Sequence, residues 1–129
     1  MENKEKPETK LSLFIMSNDD RIISLYQVVE NIGIVLVRPY HVTFQLYDDD
    51  DNSPMYSITL QKWILESSDS DYIIGNPPNL IICTPLEEII TMYKKLLLDK
   101  SNRYDNDYYS IEVPAHQLSI NNNTAPIYH

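Results

Sequence analysis

A short apolar strand that leads directly into an amphipathic helix, between Asn79 and Asp99, limits the folds open to this chain more than any other segment. Thr84 and Pro85 suit the start of a helix, and Glu87 completes a capping box with Thr84. Such a helix needs an apolar surface to cover, and the preceding strand indicates that this surface is a sheet. Its apolar stripe, at helical spacing, consists of Leu86, Ile89, Ile90, Tyr93, Leu96 and Leu97.

The composition is that of one acidic domain. With 129 residues, of which 43% are hydrophobic, the chain can fill a single core. The formal net charge of −9 argues against direct binding of nucleic acid, because phosphate backbones are bound by clustered Lys and Arg. The glycines are Gly33 and Gly75 alone, so a glycine loop that cradles phosphate is excluded.

Cysteine usage and the N-terminal segment predict the compartment. The lone Cys83 cannot form an intrachain disulfide, which fits a reducing environment. Met1–Lys10 lacks the apolar run of a signal peptide, and no segment approaches the roughly 18 apolar residues of a membrane span. We therefore expect a soluble, intracellular, cytoplasmic protein that binds no membrane. The frequent Ile, Asn, Lys and Tyr favour an AT-rich genome, and the compartment would be the host cytoplasm if that genome is viral.

The N-terminal half predicts a strand, a helix and a second strand. Leu11–Met16 is mostly apolar, and Arg21–Asn31 places apolar residues at helical spacing after polar cap residues. Gly33 is positioned to end this helix with a positive φ. The apolar run Ile34–Val37 follows at once. So short a return predicts two parallel strands joined by a right-handed crossover.

The middle of the chain predicts a β-hairpin. Val42–Tyr47 alternates apolar and polar residues, and Met55–Trp63 alternates again after the polar segment Asp48–Pro54. Tyr72–Ile74 and Ile111–Val113 are shorter strand candidates. We therefore predict an α+β single domain: a mixed, mostly antiparallel sheet with two amphipathic helices packed on it.

The polar ends of the chain predict flexible segments on either side of this domain. We place a flexible N-terminal lead at residues 1–10, the α+β domain at residues 11–100, and a polar Tyr/Asn-rich C-terminal tail at residues 101–129.

The acidic run at the hairpin tip has the start of a calcium-binding motif. Asp48, Asp50 and Asn52 match the first three ligand positions of an EF-hand loop. Ser53 stands where that loop needs Gly, and Thr59 stands where it needs Glu. We therefore expect no bound metal, and a charged, solvated tip that discourages aggregation.

Other residues that support catalysis lack their usual partners in sequence. Cys83 precedes a helix start, but no Arg follows at the spacing of a phosphatase loop. His41, His116 and His129 are too far apart to match a metal-ligand spacing. We therefore expect a non-enzymatic protein with no catalytic residue and no cofactor.

One acidic pair leaves an enzymatic alternative open. Asp19 and Asp20 follow the first strand, as an acidic pair does in phosphoacceptor receiver domains. No later strand ends in a clear phosphoacceptor Asp, and a helix start explains the pair better. A receiver-like phosphoacceptor or small enzyme using this pair is retained as an alternative.

An aromatic, acidic cluster follows the predicted helix and predicts an interface. Tyrosines are favoured at interfaces, and acidic neighbours suit a basic partner, although the same tyrosines could also pack back on the domain. Our first hypothesis is a non-catalytic interaction module, a regulator or assembly subunit that binds a protein with a basic surface. The alternative is an acidic mimic that inhibits a nucleic-acid-binding protein; homodimerisation by edge-strand pairing is left open. The expected partner-binding residues are Tyr104, Asp105, Asp107, Tyr108, Tyr109, Asp48, Asp49, Asp50 and Asp51.

Overall fold

The computed structural model describes residues 8–98 and 108–119, which form an antiparallel sheet covered on one face by a helix. Helix α1 (Glu87–Leu98) lies between the last two strands in the chain, and a 3-10 turn (Ala115–Gln117) follows the last strand. The strands are β1 (Lys10–Ile15), β2 (Arg21–Val29), β3 (Gly33–Asp48), β4 (Pro54–Lys62), β5 (Asp71–Gly75), β6 (Ile81–Cys83) and β7 (Tyr108–Pro114).

The strands pair in the order β6-β1-β2-β3-β4-β7, and β5 pairs with the first half of β3. Strands β1 to β4 are sequence neighbours that pair with one another, whereas β6 and β7 add to the two outer strands from far along the chain. No helix in the described residues is long and apolar enough to cross a membrane.

The predicted fold class is wrong about the number of helices and the direction of the strands. Arg21–Asn31 was predicted as a helix, but Arg21–Val29 forms the central strand β2. Its neighbours β1 and β3 both run antiparallel to it, so the predicted parallel crossover is also wrong. Gly33 has the predicted positive φ, at 108°, but it begins β3 instead of ending a helix. The α1 helix and the β3–β4 hairpin are confirmed.

The burial of β2 on both faces explains the wrong helix prediction. Ile22 and Ile23 are fully buried on opposite faces, in two separate core clusters. The extra residue of the β2–β3 pairing lies in β3, where Arg38 and Pro39 stand opposite Ser24, whose hydroxyl donates to the Val37 carbonyl at 3.1 Å. Strand β2 itself alternates regularly, but because both of its faces are apolar, its sequence lacks the apolar–polar alternation of a half-buried strand and matches a helical period.

The core consists of two clusters, one on each face of the sheet. The cluster on the face that α1 does not cover comprises Phe14, Ile22, Tyr26, Ile34 and Leu36. Leu118 is also buried, so a residue from the segment that we assigned to the tail contributes to the helix-side cluster. The helix-side cluster comprises Ile23, Tyr40, Val42, Ile58, Leu60, Ile89, Met92, Tyr93, Leu96 and Leu118.

Strand β3 has 16 residues and an irregular backbone at Arg38, which has a positive φ of 52°. Before this point β3 pairs with β2 and β5; after it, β3 pairs with β4 and, at Tyr40 and His41, with the start of β2. The buried Tyr93 hydroxyl of α1 supports this position, since it accepts from the Leu25 N–H at 2.9 Å and lies 3.0 Å from the Val37 carbonyl oxygen. The residues of β3 after His41 have no partner in β2, because β2 begins at Arg21.

Candidate functional site

The strongest candidate site is a three-stranded extension of the sheet, which we call the acidic arm. It comprises Val42–Asp48 of β3, Pro54–Ser57 of β4, Glu112–Pro114 of β7 and the turn at residues 49–53. Exposure rises along its β3 strand, from 5% at Val42 to 37% at Phe44 and 60% at Leu46. The arm therefore carries the alternating pattern of the core strands into a region that helix α1 does not bury.

The turn at the tip is held by one of its aspartates. The Asp49 carboxylate accepts from the N–H groups of Asp51 and Ser53, each at 2.9 Å, and the Asp49 N–H donates to the Ser53 carbonyl at 2.9 Å. This is a structural role. Asp48, Asp50 and Asp51 are exposed, and none of their carboxylates bonds to another residue that the structure describes. These three charges are available to a partner.

A contact across the arm joins its first and last strands. The Tyr47 hydroxyl of β3 donates to the Glu112 carboxylate of β7, across the intervening β4. This hydrogen bond raises the pKa of Tyr47 to about 12, with smaller contributions from desolvation and from the nearby negative charges. The contact joins side chains of the first and last strands on one face of the arm.

The two faces of the arm differ in polarity. Phe44 and Leu46 lie on the same face of the sheet as Val42, which is in the cluster that α1 buries. The centroids of the Phe44 and Tyr56 rings are 4.7 Å apart. Gln45 and Tyr47 lie on the opposite face. The arm therefore presents an apolar strip on one side and hydrogen-bonding side chains on the other.

One edge of the arm has unpaired backbone groups. The odd-numbered residues of β3 bond to β4, because the Asp49 N–H donates to Ser53 and the Pro39 carbonyl accepts from Trp63. Antiparallel ladders alternate, so Phe44, Leu46 and Asp48 direct their N–H and C=O groups away from β4. On that side no described residue pairs with residues 43–48, which we call the free edge.

The described residues that were predicted to form one partner-binding surface lie far apart in the structure. Asp48 pairs with Pro54 at the tip, whereas Tyr108 pairs with Gln61 at the far end of β4. Seven residues along a strand span about 20 Å. The acidic tip and the two described tyrosines therefore belong to opposite ends of the hairpin. Tyr104, Asp105 and Asp107 lie outside the described residues.

The two described tyrosines of that cluster differ from each other. Tyr108 is 64% exposed. Tyr109 packs against the helix-side core, and the Lys95 ammonium lies 3.4 Å from its hydroxyl and 5.9 Å from its ring centroid. Tyr109 therefore supports the fold, and Tyr108 is the better placed of the two to contact a partner.

The other acidic pair lies in a hairpin turn. Asp19 has a φ of 70° between β1 and β2, and the Asp20 carboxylate lies 3.8 Å from the His41 Nε2. No helix begins here, so the predicted capping role is wrong, and the strands around the pair are antiparallel. Cys83 lies apart, with its thiol 3.6 Å from the Leu13 carbonyl. In the described residues no three His, Cys, Asp or Glu side chains are grouped to hold a metal.

A shallow groove of about 350 Å³ between α1 and β7 is the second candidate. One of its two carboxylates is already engaged, because Glu88 accepts from the backbone N–H and the hydroxyl of Ser119, each at 2.8 Å. Its lysine, Lys95, contacts Tyr109. The groove thus holds internal contacts of the domain, and it offers fewer available charges than the arm.

Comparisons with protein-family models, with curated proteins and with solved structures found no match for this chain. The function therefore has to be inferred from the site itself. Sequence reasoning identified the acidic tip but missed Phe44, Leu46 and Glu112. The available signal was the length of the apolar alternation, which continues from Val42 to the charged turn without a break.

Proposed function

We propose that this protein is a non-catalytic interaction module, a small regulator or assembly subunit, and that the acidic arm is its docking surface for a protein partner with a basic surface. The observation that carries the proposal is the combination of exposed apolar side chains with available carboxylates on one projecting element. Phe44 and Leu46 are exposed beside a tip that presents Asp48, Asp50 and Asp51.

The charge of the whole chain supports the same type of partner. A net charge of −9 raises the encounter rate with a basic surface and lowers it with an acidic one. The apolar strip at Phe44 and Leu46 favours a protein over a simple cation, because exposed apolar groups gain from burial against other apolar groups. A natural partner therefore combines Lys or Arg side chains with apolar contacts.

Reversing the charge at the tip is expected to weaken partner binding. We expect Asp50→Lys/Asp51→Lys to lower the yield of a partner captured on the tagged full chain by about tenfold at low salt, because each exposed charge contributes modestly and both are reversed. Asp49 is left unchanged because it holds the turn. Capture from cells that express the chain naturally, with quantitative mass spectrometry, measures the change.

Glu30→Lys/Glu66→Lys is the matched control, since it changes the net charge equally at exposed positions outside the arm. Equal loss in both variants would show that only the overall charge matters, and equal retention would remove the arm as the docking surface. Repeating the capture at rising salt separates the alternative of nucleic-acid mimicry. A captured nucleic-acid-binding protein whose retention falls steeply with salt supports mimicry.

A further inference from the structure

We propose that the acidic arm binds its partner by strand addition: an extended segment with Lys or Arg at the end that meets the acidic tip pairs with the free edge of β3. This inference rests on the proposed function and specifies the chemistry of the partner. An added strand would supply hydrogen-bond partners for the backbone groups of Phe44, Leu46 and Asp48. The free edge is about 20 Å long, which is the length of an ordinary strand.

The faces of the arm specify the side-chain pattern of that segment. Residues of the added strand that share a face with Phe44 and Leu46 would lie about 5 Å from them and extend the apolar strip. Residues on the other face would meet Thr43, Gln45 and Tyr47, which favour polar neighbours. The segment therefore alternates apolar and polar residues over the length of the free edge.

The charges at the two ends of the free edge specify the ends of the segment. Asp48, Asp50 and Asp51 lie at the tip. At the other end, the Asp20 carboxylate lies 3.8 Å from His41, the residue that pairs with the start of β2 just before the free edge begins. The exposed Arg21 adjoins Asp20 and precedes Ile22, the partner of His41, so this end carries charges of both signs. The negative charge is concentrated at the tip, and a segment with a basic residue at the end that meets the tip is complementary in charge.

A second copy of this chain is a poor occupant of the same edge. Two copies paired antiparallel here would each place their acidic tip beside Asp20 and Arg21 of the other, so the contacts at the two ends carry charges of both signs. Each copy, however, carries a net charge of −9. Like charges placed together oppose association, so the occupant is a basic segment of another protein.

Selection of phage-displayed random peptides on the immobilised full chain tests the inference directly. We expect enriched peptides that alternate apolar and polar residues and have Lys or Arg at one end. Their affinities are then measured with synthetic, fluorescein-labelled copies by fluorescence anisotropy. Recovery of no binding peptide, or of peptides without this alternation or without a basic end, would overturn the inference.

Replacing Leu46 by proline removes one donor from the free edge and leaves the bonds to β4, because the Leu46 N–H points away from β4. We expect Leu46→Pro to bind the selected peptides at least about tenfold more weakly, since main-chain hydrogen bonds supply much of the affinity of an added strand. Circular dichroism shows whether the variant keeps its sheet.

A pair of lysine substitutions tests the same edge without changing the backbone. Leu46→Lys and Gln45→Lys add the same charge, but the first lies on the apolar face and the second on the polar face. We expect Leu46→Lys to weaken peptide binding about tenfold and Gln45→Lys only about threefold. Equal effects would show that the partner does not alternate as inferred.

The outcomes separate this inference from the proposed function. If Asp50→Lys/Asp51→Lys weakens binding and Leu46→Pro does not, strand addition is wrong and the arm is still a docking surface. If neither variant changes binding, both proposals are wrong. If sedimentation shows that the chain self-associates and that Leu46→Pro abolishes this, the occupant is a second copy and the basic segment is wrong.

Discussion

Gly33→Ala is expected to lower the free energy of unfolding by about 3 kcal/mol. Gly33 has a φ of 108°, which a residue with a Cβ adopts only with strain. An added Cβ would also lie 2.5 Å from the carbonyl carbon and oxygen of Gly75, where β3 pairs with β5. These are backbone atoms, so one strand would have to shift. Urea unfolding followed by circular dichroism measures the change.

Gly75→Ala is the matched control. Gly75 also has a positive φ, at 65°, but an added Cβ there meets nothing within 4 Å. We expect a loss of about 1 kcal/mol, the cost of the backbone conformation alone. Equal losses in the two variants would show that the close approach of the strands contributes nothing, and that conformation explains the whole effect.

Tyr93→Phe is expected to lower the free energy of unfolding by about 2 kcal/mol. The Tyr93 side chain is fully buried, and its hydroxyl accepts from the Leu25 N–H and can donate to the carbonyl of Val37 or Arg38. Phenylalanine keeps the ring and its edge contact with Tyr40 but leaves the Leu25 N–H without this acceptor. A loss below about 0.5 kcal/mol would show that this hydroxyl is not needed at the irregular point of β3.

The same variant has a signature in alkaline solution. Burial raises the pKa of Tyr93 to about 12 in the folded protein, from an ordinary value of 10.0. Below pH 10 both states hold the proton, so Tyr93 adds no pH dependence to the stability. Between pH 10 and 12 the unfolded chain releases the proton while the folded chain keeps it, so stability falls as pH rises. Tyr93→Phe should show a shallower fall, and identical slopes for the two proteins would contradict this.

Local signals explain why some elements could be predicted. Helix α1 has its capping residues, first-turn acids and apolar stripe within one short segment, so its existence does not depend on distant residues. The β3–β4 hairpin is similar, because two alternating runs flank one polar turn. In both cases the information lies between neighbours in sequence.

Strand β2 could not be predicted in the same way. Its position between β1 and β3 is a property of the assembled sheet, and burial on both faces removes the simple alternation that identifies a strand. The apolar residues of the two faces together match helical spacing at Ile22, Tyr26 and Val29. The preference of Ile22, Ile23 and Val29 for strands was present, but the periodicity outweighed it.

The candidate site was half predictable for a related reason. The charges at Asp48–Asp51 are visible in the sequence, whereas the role of Phe44 and Leu46 depends on which residues of β3 lie beyond the start of β2. A half-buried strand and an exposed edge have the same alternation. Only the unequal lengths of β2 and β3, nine and 16 residues, distinguish the two cases.

The alternation of hydrogen bonds along the arm has a consequence for amide exchange with heavy water. Thr43, Gln45 and Tyr47 donate towards β4 and should exchange slowly, whereas Phe44, Leu46 and Asp48 face solvent and should exchange fast. Nuclear magnetic resonance would then record slow and fast protons at every other position. When the edge is occupied, the fast set should slow while the other set changes little, which gives a residue-by-residue record of occupancy.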